Sequence, residues 1–145
     1  MRNIDMFNLT VAEIAGLCYE NFPHRIDIST HNIAEKLANY YEIDAGNTEE
    51  VANFIYESTE MVESTANWLE QAGYIWVEAQ SDGSFYSVTL TPKTLELMNM
   101  VPNSLQESIG SKLVSAASEV SKQGAISTVV TMLAAGAKLA VGAAI

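Results

Sequence analysis

A chain of 145 residues, 48% of them hydrophobic and 17% charged, is long enough to bury one sizeable core and too apolar to be a disordered segment. Its formal net charge of −11 is unevenly held: residues 1–92 carry fifteen acidic side chains against Arg2, Arg25 and Lys36, a net of −12, whereas residues 93–145 carry four lysines against three glutamates, a net of +1. The single cysteine, Cys18, excludes an intrachain disulfide and a multi-cysteine zinc site. A lone thiol suits a reducing compartment, and the opening MRNIDMFNLT has Asp5 and no long apolar run, so it does not read as a secretory signal. Cytoplasmic residence is the default expectation.

Thr10-Val11-Ala12-Glu13 has the form of a capping box and predicts a helix start, with Val11, Ile14, Ala15, Cys18 and Phe22 as its apolar stripe and Pro23 as its stop. Cys18 on that stripe reads as a buried structural thiol, because no neighbouring cation in sequence lowers its pKa. His24 to Ser29 follows that stop. Ser29 and Thr30 can cap a second helix whose inner face is Ile33, Ala34, Leu37 and Tyr41. His24 and His31 are too few and too poorly spaced for a metal site, and read as solvated or locally hydrogen-bonded. After the loop Asp44-Ala45-Gly46, Asn47 and Glu50 open a third helix, whose apolar phase runs through Val51, Phe54, Ile55, Ser58, Val62, Thr65 and Leu69 without slipping. That continuity favours one helix from Thr48 to Ala72 over two helices broken at Ser58-Thr59.

Gly73 is a helix stop. Tyr74 to Ala79 then alternates as a strand, with Ile75, Val77 and Ala79 on one face and Tyr74, Trp76 and Glu78 on the other. Ser81-Asp82-Gly83-Ser84 is turn chemistry, Phe85 to Thr91 is the return strand, and Thr91-Pro92 opens a further helix that ends before Pro102. This order, carried by Asn67-Trp68-Leu69-Glu70-Gln71-Ala72-Gly73-Tyr74-Ile75 and by Leu90-Thr91-Pro92-Lys93, resembles the helix and wing of a winged helix-turn-helix domain over about residues 7–101, and in that resemblance His24 to Ser29 looks like the short first strand between the first two helices. The expected fold is therefore mainly α with a small β-hairpin wing: a winged-helix-like domain over residues 1–101, followed by a helical, apolar tail over residues 102–145.

In that tail Ser104-Leu105-Gln106-Glu107 makes another capping box, and Leu105, Ile109, Leu113, Ala116, Ala117 and Val120 form an apolar seam to Gly124. Residues 125–145 are apolar or small except for Ser127, Thr128, Thr131 and Lys138. Three readings follow: a packing or oligomerisation helix, a membrane segment, or a disordered tail. The run is near the ~20 residues needed to span a bilayer, but Lys138 costs roughly 2.5–3.5 kcal/mol if central. Packing is favoured, and a homodimer held through Leu105, Ile109, Leu113, Val120, Val129, Val130 and Leu133 is the expectation.

No glycine-rich phosphate loop, metal-ligand spacing or histidine with a nucleophile beside it is visible, so neither an enzyme nor a bound cofactor is expected. The winged-helix resemblance implies DNA binding, yet Ser58 to Thr91 contains no lysine or arginine and does contain Glu60, Glu63, Glu70, Glu78 and Asp82. Phosphate contacts supply most DNA affinity, and this surface repels them. The leading expectation is an acidic winged-helix adaptor or regulator that binds a protein partner, with Trp68, Tyr74, Trp76, Glu60 and Glu63 as the candidate contact residues, core or cross-strand packing being the plainer account of the two tryptophans. The alternatives are a DNA-binding regulator using Lys93, Lys112 and Lys122 of a dimer, and a membrane-associated protein with a soluble acidic head.

Overall fold

In the computed structural model, which describes residues 3–102 and 106–144, the chain begins with a helix that is enclosed rather than laid on a surface. In α1 (Asn3–Asn21) every residue from Asn8 to Gly16 is buried, which leaves no solvent face over more than two turns. The predicted start at Thr10 is corrected, because the helix begins seven residues earlier. Thr10 Oγ1 donates back to the Met6 carbonyl at 2.8 Å and Glu13 accepts from the Tyr40 hydroxyl at 2.7 Å, so both polar groups are satisfied inside the fold without a cap. Of the expected stripe, Val11, Ile14, Ala15 and Cys18 are buried and Phe22 is exposed.

The following elements are β1 (Ile26–Ser29), α2 (Thr30–Leu37), a 3₁₀ turn (Ala38–Tyr40) and the uninterrupted α3 (Thr48–Gln71). Ser29 caps α2 by accepting from Asn32 N, and Asn47 caps α3 by accepting from Glu50 N, as the capping residues predict. Then come β2 (Ile75–Trp76), β3 (Ala79–Ser81), β4 (Ser84–Leu90) and α4 (Pro92–Asn99), with Thr91 as cap of α4. The protein is thus mainly α with a small antiparallel sheet and C-terminal helices, an arrangement compatible with a winged helix.

β4 is the spine of the sheet, with β1 along one edge and β2 and β3 along the other. Asp82 (φ 49°) and Gly83 (φ 77°) both lie in the left-handed region, so β3 and β4 meet in the two-residue turn that an Asp-Gly pair favours. A bulge interrupts the β1–β4 ladder. There Ser87 (φ 55°) is held by side chains of the neighbouring strand: Arg25 Nη1 donates to its carbonyl at 2.8 Å, and its N–H donates to Asp27 Oδ1 at 3.0 Å.

The strand after Gly73 departs from simple alternation, since Tyr74 and Ile75 are both buried. Tyr74 belongs to the end of α3: its N–H donates to Leu69 O at 2.8 Å, and Gly73 N donates to Glu70 O at 3.1 Å, the paired bonds of a Schellman stop around Gly73 (φ 81°). Such stops pair the residue after the glycine with one in the last helical turn. Here Tyr74 stacks on Trp68, with ring centroids 5.8 Å apart.

The tail differs from expectation in detail. Ser108, rather than Ser104, caps α5 (Ile109–Ser118) by accepting from Ser111 N at 3.1 Å, and Gln106 and Glu107 precede the helix. Ser104 and Leu105 lie outside the described residues. The seam breaks at Val120, which holds a left-handed backbone (φ 53°) in a second Schellman stop, with Ser121 N bonded to Ala116 O at 2.8 Å. α6 (Lys122–Ala144) then turns back. α1 lies against α2, α3 and β4 as well as against α5 and α6, and α4 packs against α5 and α6 too. One continuous core therefore includes Leu9, Ile14, Leu37, Leu69, Phe85, Leu97, Leu113 and Met132, drawn from both the winged part and the tail.

Candidate functional site

The junction between α3 and the wing is built by the Schellman stop, which folds the chain back so that three aromatic rings meet. Trp68 stacks on Tyr74 and takes the edge of Phe7 at 5.3 Å, with an interplanar angle of 82°. The Lys93 ammonium lies 4.0 Å from the Tyr74 ring centroid and donates to the Ala72 carbonyl at 2.8 Å, which places a cation at the C-terminal end of α3 where the helix dipole favours one. Tyr74 is buried, and that burial raises its pKa. Trp68 keeps 43% of its surface exposed.

Trp76 points away from this cluster. It is 50% exposed and stands across from Thr89, with the Arg25 guanidinium 6.0 Å from its ring centroid. The structure thus brings Trp68 and Tyr74 together and sets Trp76 apart on the sheet. Glu60 is exposed on α3, while Glu63 is half-buried and accepts from Gln80 Nε2 of β3 at 3.3 Å, which links helix and wing. Sequence reasoning missed Phe7 and Arg25. Phe7 falls in the part of α1 that precedes the expected start, and Arg25 reaches Trp76 only because β1 and β2 flank the same strand.

The wing tip is tied down. Thr30 N and Thr30 Oγ1 both donate to the Gly83 carbonyl, at 2.9 Å each, so the turn closes over the start of α2. A Cβ on Gly83 would lie 3.0 Å from Thr30 Oγ1, and the left-handed φ disfavours any side chain there as well.

Other polar groups are internal. Burial of Glu13 raises its carboxyl pKa, opposed by the Tyr40 hydrogen bond and by Lys36, and reinforced by Glu20. Burial pushes the Cys18 thiol up to about 12, the opposite of what a nucleophile needs. Of the lysines proposed for a basic surface, Lys93 is engaged as described, Lys122 sits 4.4 Å from the Tyr41 ring centroid, and Lys112 is half-buried on α5.

Among the tail positions expected to meet a second subunit, Ile109, Leu113 and Val129 are fully buried within one chain. α5 and α6 turn these three onto α1 and α4 of the same chain. Leu133 is half-buried, Val120 and Val130 are 39% and 53% exposed, and Leu105 lies outside the described residues. Among the described residues no helix is long and apolar enough to cross a membrane, and no cluster of three or more His, Cys, Asp or Glu is placed to hold a metal ion. Comparison of the chain with protein-family models, with curated proteins and with solved structures finds no match.

Proposed function

We propose that the protein is a non-enzymatic, winged-helix-like module that binds a protein partner carrying a basic surface, and acts as an adaptor or regulator. One observation carries the reading: the segment from Ser58 to Thr91 has five acidic residues, no lysine or arginine of its own, and two half-exposed tryptophans, Trp68 and Trp76, with Arg25 reaching the second from β1's side of the sheet. Exposed tryptophans are favoured anchors of protein contacts, and the acidic surround steers a basic partner to them. The same surface repels a phosphate backbone. The wing tip closes on Thr30, which removes the free loop that would reach along a duplex.

Fluorescence anisotropy against a mixed-sequence duplex at physiological salt, with micromolar protein, tests the exclusion of DNA. No binding is expected. Binding with a steep negative salt slope would sink the adaptor reading and restore a DNA-binding regulator. The positive test captures partners from a native lysate with wild type, Trp68→Ala and Glu60→Gln/Glu63→Gln. The reading requires that capture of a basic protein weaken in the variants and at high salt.

A further inference from the structure

Across the sheet, one row of side chains is made by residues far apart in sequence. Trp76 of β2 pairs with Thr89 of β4, and Ile26 of β1 pairs with Val88, so continuing that antiparallel register by one residue places Arg25 opposite Thr89. An indole, a hydroxyl and a guanidinium therefore share one face, in the spatial order Trp76, Thr89, Arg25 from edge to edge. Beside this row lies a cleft of about 310 Å³, walled by Phe22, Pro23, Trp76 and Leu95, with Thr89 and Arg25 among its lining residues. That volume is at the small end of the ~300–1,000 Å³ range of ligand pockets.

Two features distinguish the cleft from an ordinary surface furrow. Thr89 is 6% exposed, and its Oγ1 is buried with no hydrogen-bond partner among the described residues, an uncommon state for a hydroxyl. The charged residue lining the cleft is Arg25. Its Nη1 holds the Ser87 carbonyl, and the guanidinium has further donors in its planar fork on an exposed residue. Glu70 and Glu78 line a second cleft, which shares Trp76 and Arg25 with this one. In a chain so acidic, a cleft lined by apolar surface, one cation and no carboxylate is selective in sign.

We propose that this cleft binds a small apolar carboxylate: a hydrocarbon or aromatic group seated against Trp76, Pro23 and Leu95, its carboxylate held by Arg25, and the enclosed Thr89 hydroxyl donating to the ligand's polar end once the flanking Trp76 and Arg25 side chains part around it. Arg25 is suited to this because its fork meets a carboxylate through paired donors. An apolar group a bond or two from a carboxylate occurs both in free small acids and in the last residue of a polypeptide, and both present the same chemistry.

The two indole N–H signals of the full-length protein, assigned with Trp68→Phe and Trp76→Phe, provide the readout by heteronuclear NMR. Phenylacetate is expected to move the Trp76 signal in a saturable way and leave Trp68 unmoved. Phenylacetamide, which has the same shape without charge, should bind on the order of tenfold more weakly, since it forfeits the charge-assisted bonds. A tetrapeptide ending in phenylalanine, with free or amidated C-terminus, separates the two ligand sources. A shift from the free acid peptide alone assigns the site to chain termini, and a shift from phenylacetate assigns it to small acids. Thr89→Val should weaken binding several-fold while the variant melts no lower than wild type, because the hydroxyl has no partner to lose. Arg25→Gln should weaken binding further than Arg25→Lys. No saturable Trp76 shift with either free acid up to 10 mM ligand, or equal affinity for acid and amide, would overturn the proposal.

Discussion

Two glycines on the contact between α1 and α5 make the docking of the tail testable by one chemical change with opposite outcomes. A Cβ on Gly110 would lie 2.6, 2.7 and 2.8 Å from three ring atoms of Tyr19 on α1, well inside ordinary contact. The half-buried ring would have to shift, and overpacking of this kind costs typically ~1–3 kcal/mol. Gly110 stands in the first turn of α5, where replacing glycine recovers at most ~1 kcal/mol of helix propensity, so Gly110→Ala should lose about 1–2 kcal/mol net. At Gly16, in the interior of α1, the nearest atoms to a Cβ are Leu113 C and Val114 N of α5, both at 4.0 Å. The methyl fits there, and Gly16→Ala should gain about 1 kcal/mol from propensity alone, a rise of roughly 2–4 °C in melting temperature. Urea titrations of both variants beside wild type measure the two midpoints. A stabilised Gly110→Ala, or a Gly16→Ala destabilised by more than about 1 kcal/mol, would mean that α5 does not cross α1 in this register.

Removing the tail after Pro102 should leave a chain that does not fold, because Ile109, Leu113, Val129 and Met132 are fully buried and burial of each contributes about 1.5–3 kcal/mol, a sum comparable with the whole stability of a small domain; far-UV circular dichroism and light scattering check it, and a soluble, folded fragment would refute it. Cys18 should resist iodoacetamide in the native protein at pH 8 and react fully in urea, with mass spectrometry as the readout. Tyr40→Phe should cost about 1–3 kcal/mol by leaving Glu13 without its donor. Since burial raises the Glu13 pKa above its ordinary value of 4.5, the folded state holds that proton more tightly, and this group's contribution to stability falls as pH rises above 4.5 through the folded value. Urea midpoints of Glu13→Gln and wild type, compared from pH 4.5 to 7, should therefore converge toward the acid end. A difference that does not change with pH would refute it.

Local signals carried the fold class. Capping residues found the starts of α2, α3 and α4, the unbroken apolar phase found the length of α3, and Asp82-Gly83 found the wing turn, each within a few residues of chain. What was hidden depended on distant partners. The start of α1 was obscured because Thr10 and Glu13 imitate a cap while being bonded to Met6 and Tyr40. The face of Tyr74 was misjudged because a Schellman stop, not strand pleating, orients it. The tail's apolar seam looked unpartnered because its partner, α1, shows an apolar stripe on one side in sequence while small and self-bonded residues hide that its other sides are buried too. Of the candidate surface, alternation set Trp76 on the strand face opposite Ile75, but its exposure and its neighbours Arg25 and Thr89 depend on the sheet register.

The enclosure of α1 has a bearing on how the chain is made. The helix leaves the ribosome ahead of the elements that cover it, and one of its two coats, α5 and α6, comes much later: about a hundred residues separate Asn21 from Lys122. At ~5–20 residues per second, translation leaves that side of α1 without its native cover for roughly 5–20 s. Over that interval the nascent chain presents a sticky apolar surface that the wing and the intervening helices cannot cover. Slow synthesis or a shortage of chaperones should therefore reduce the yield of this protein before any change in the stability of its finished form is felt.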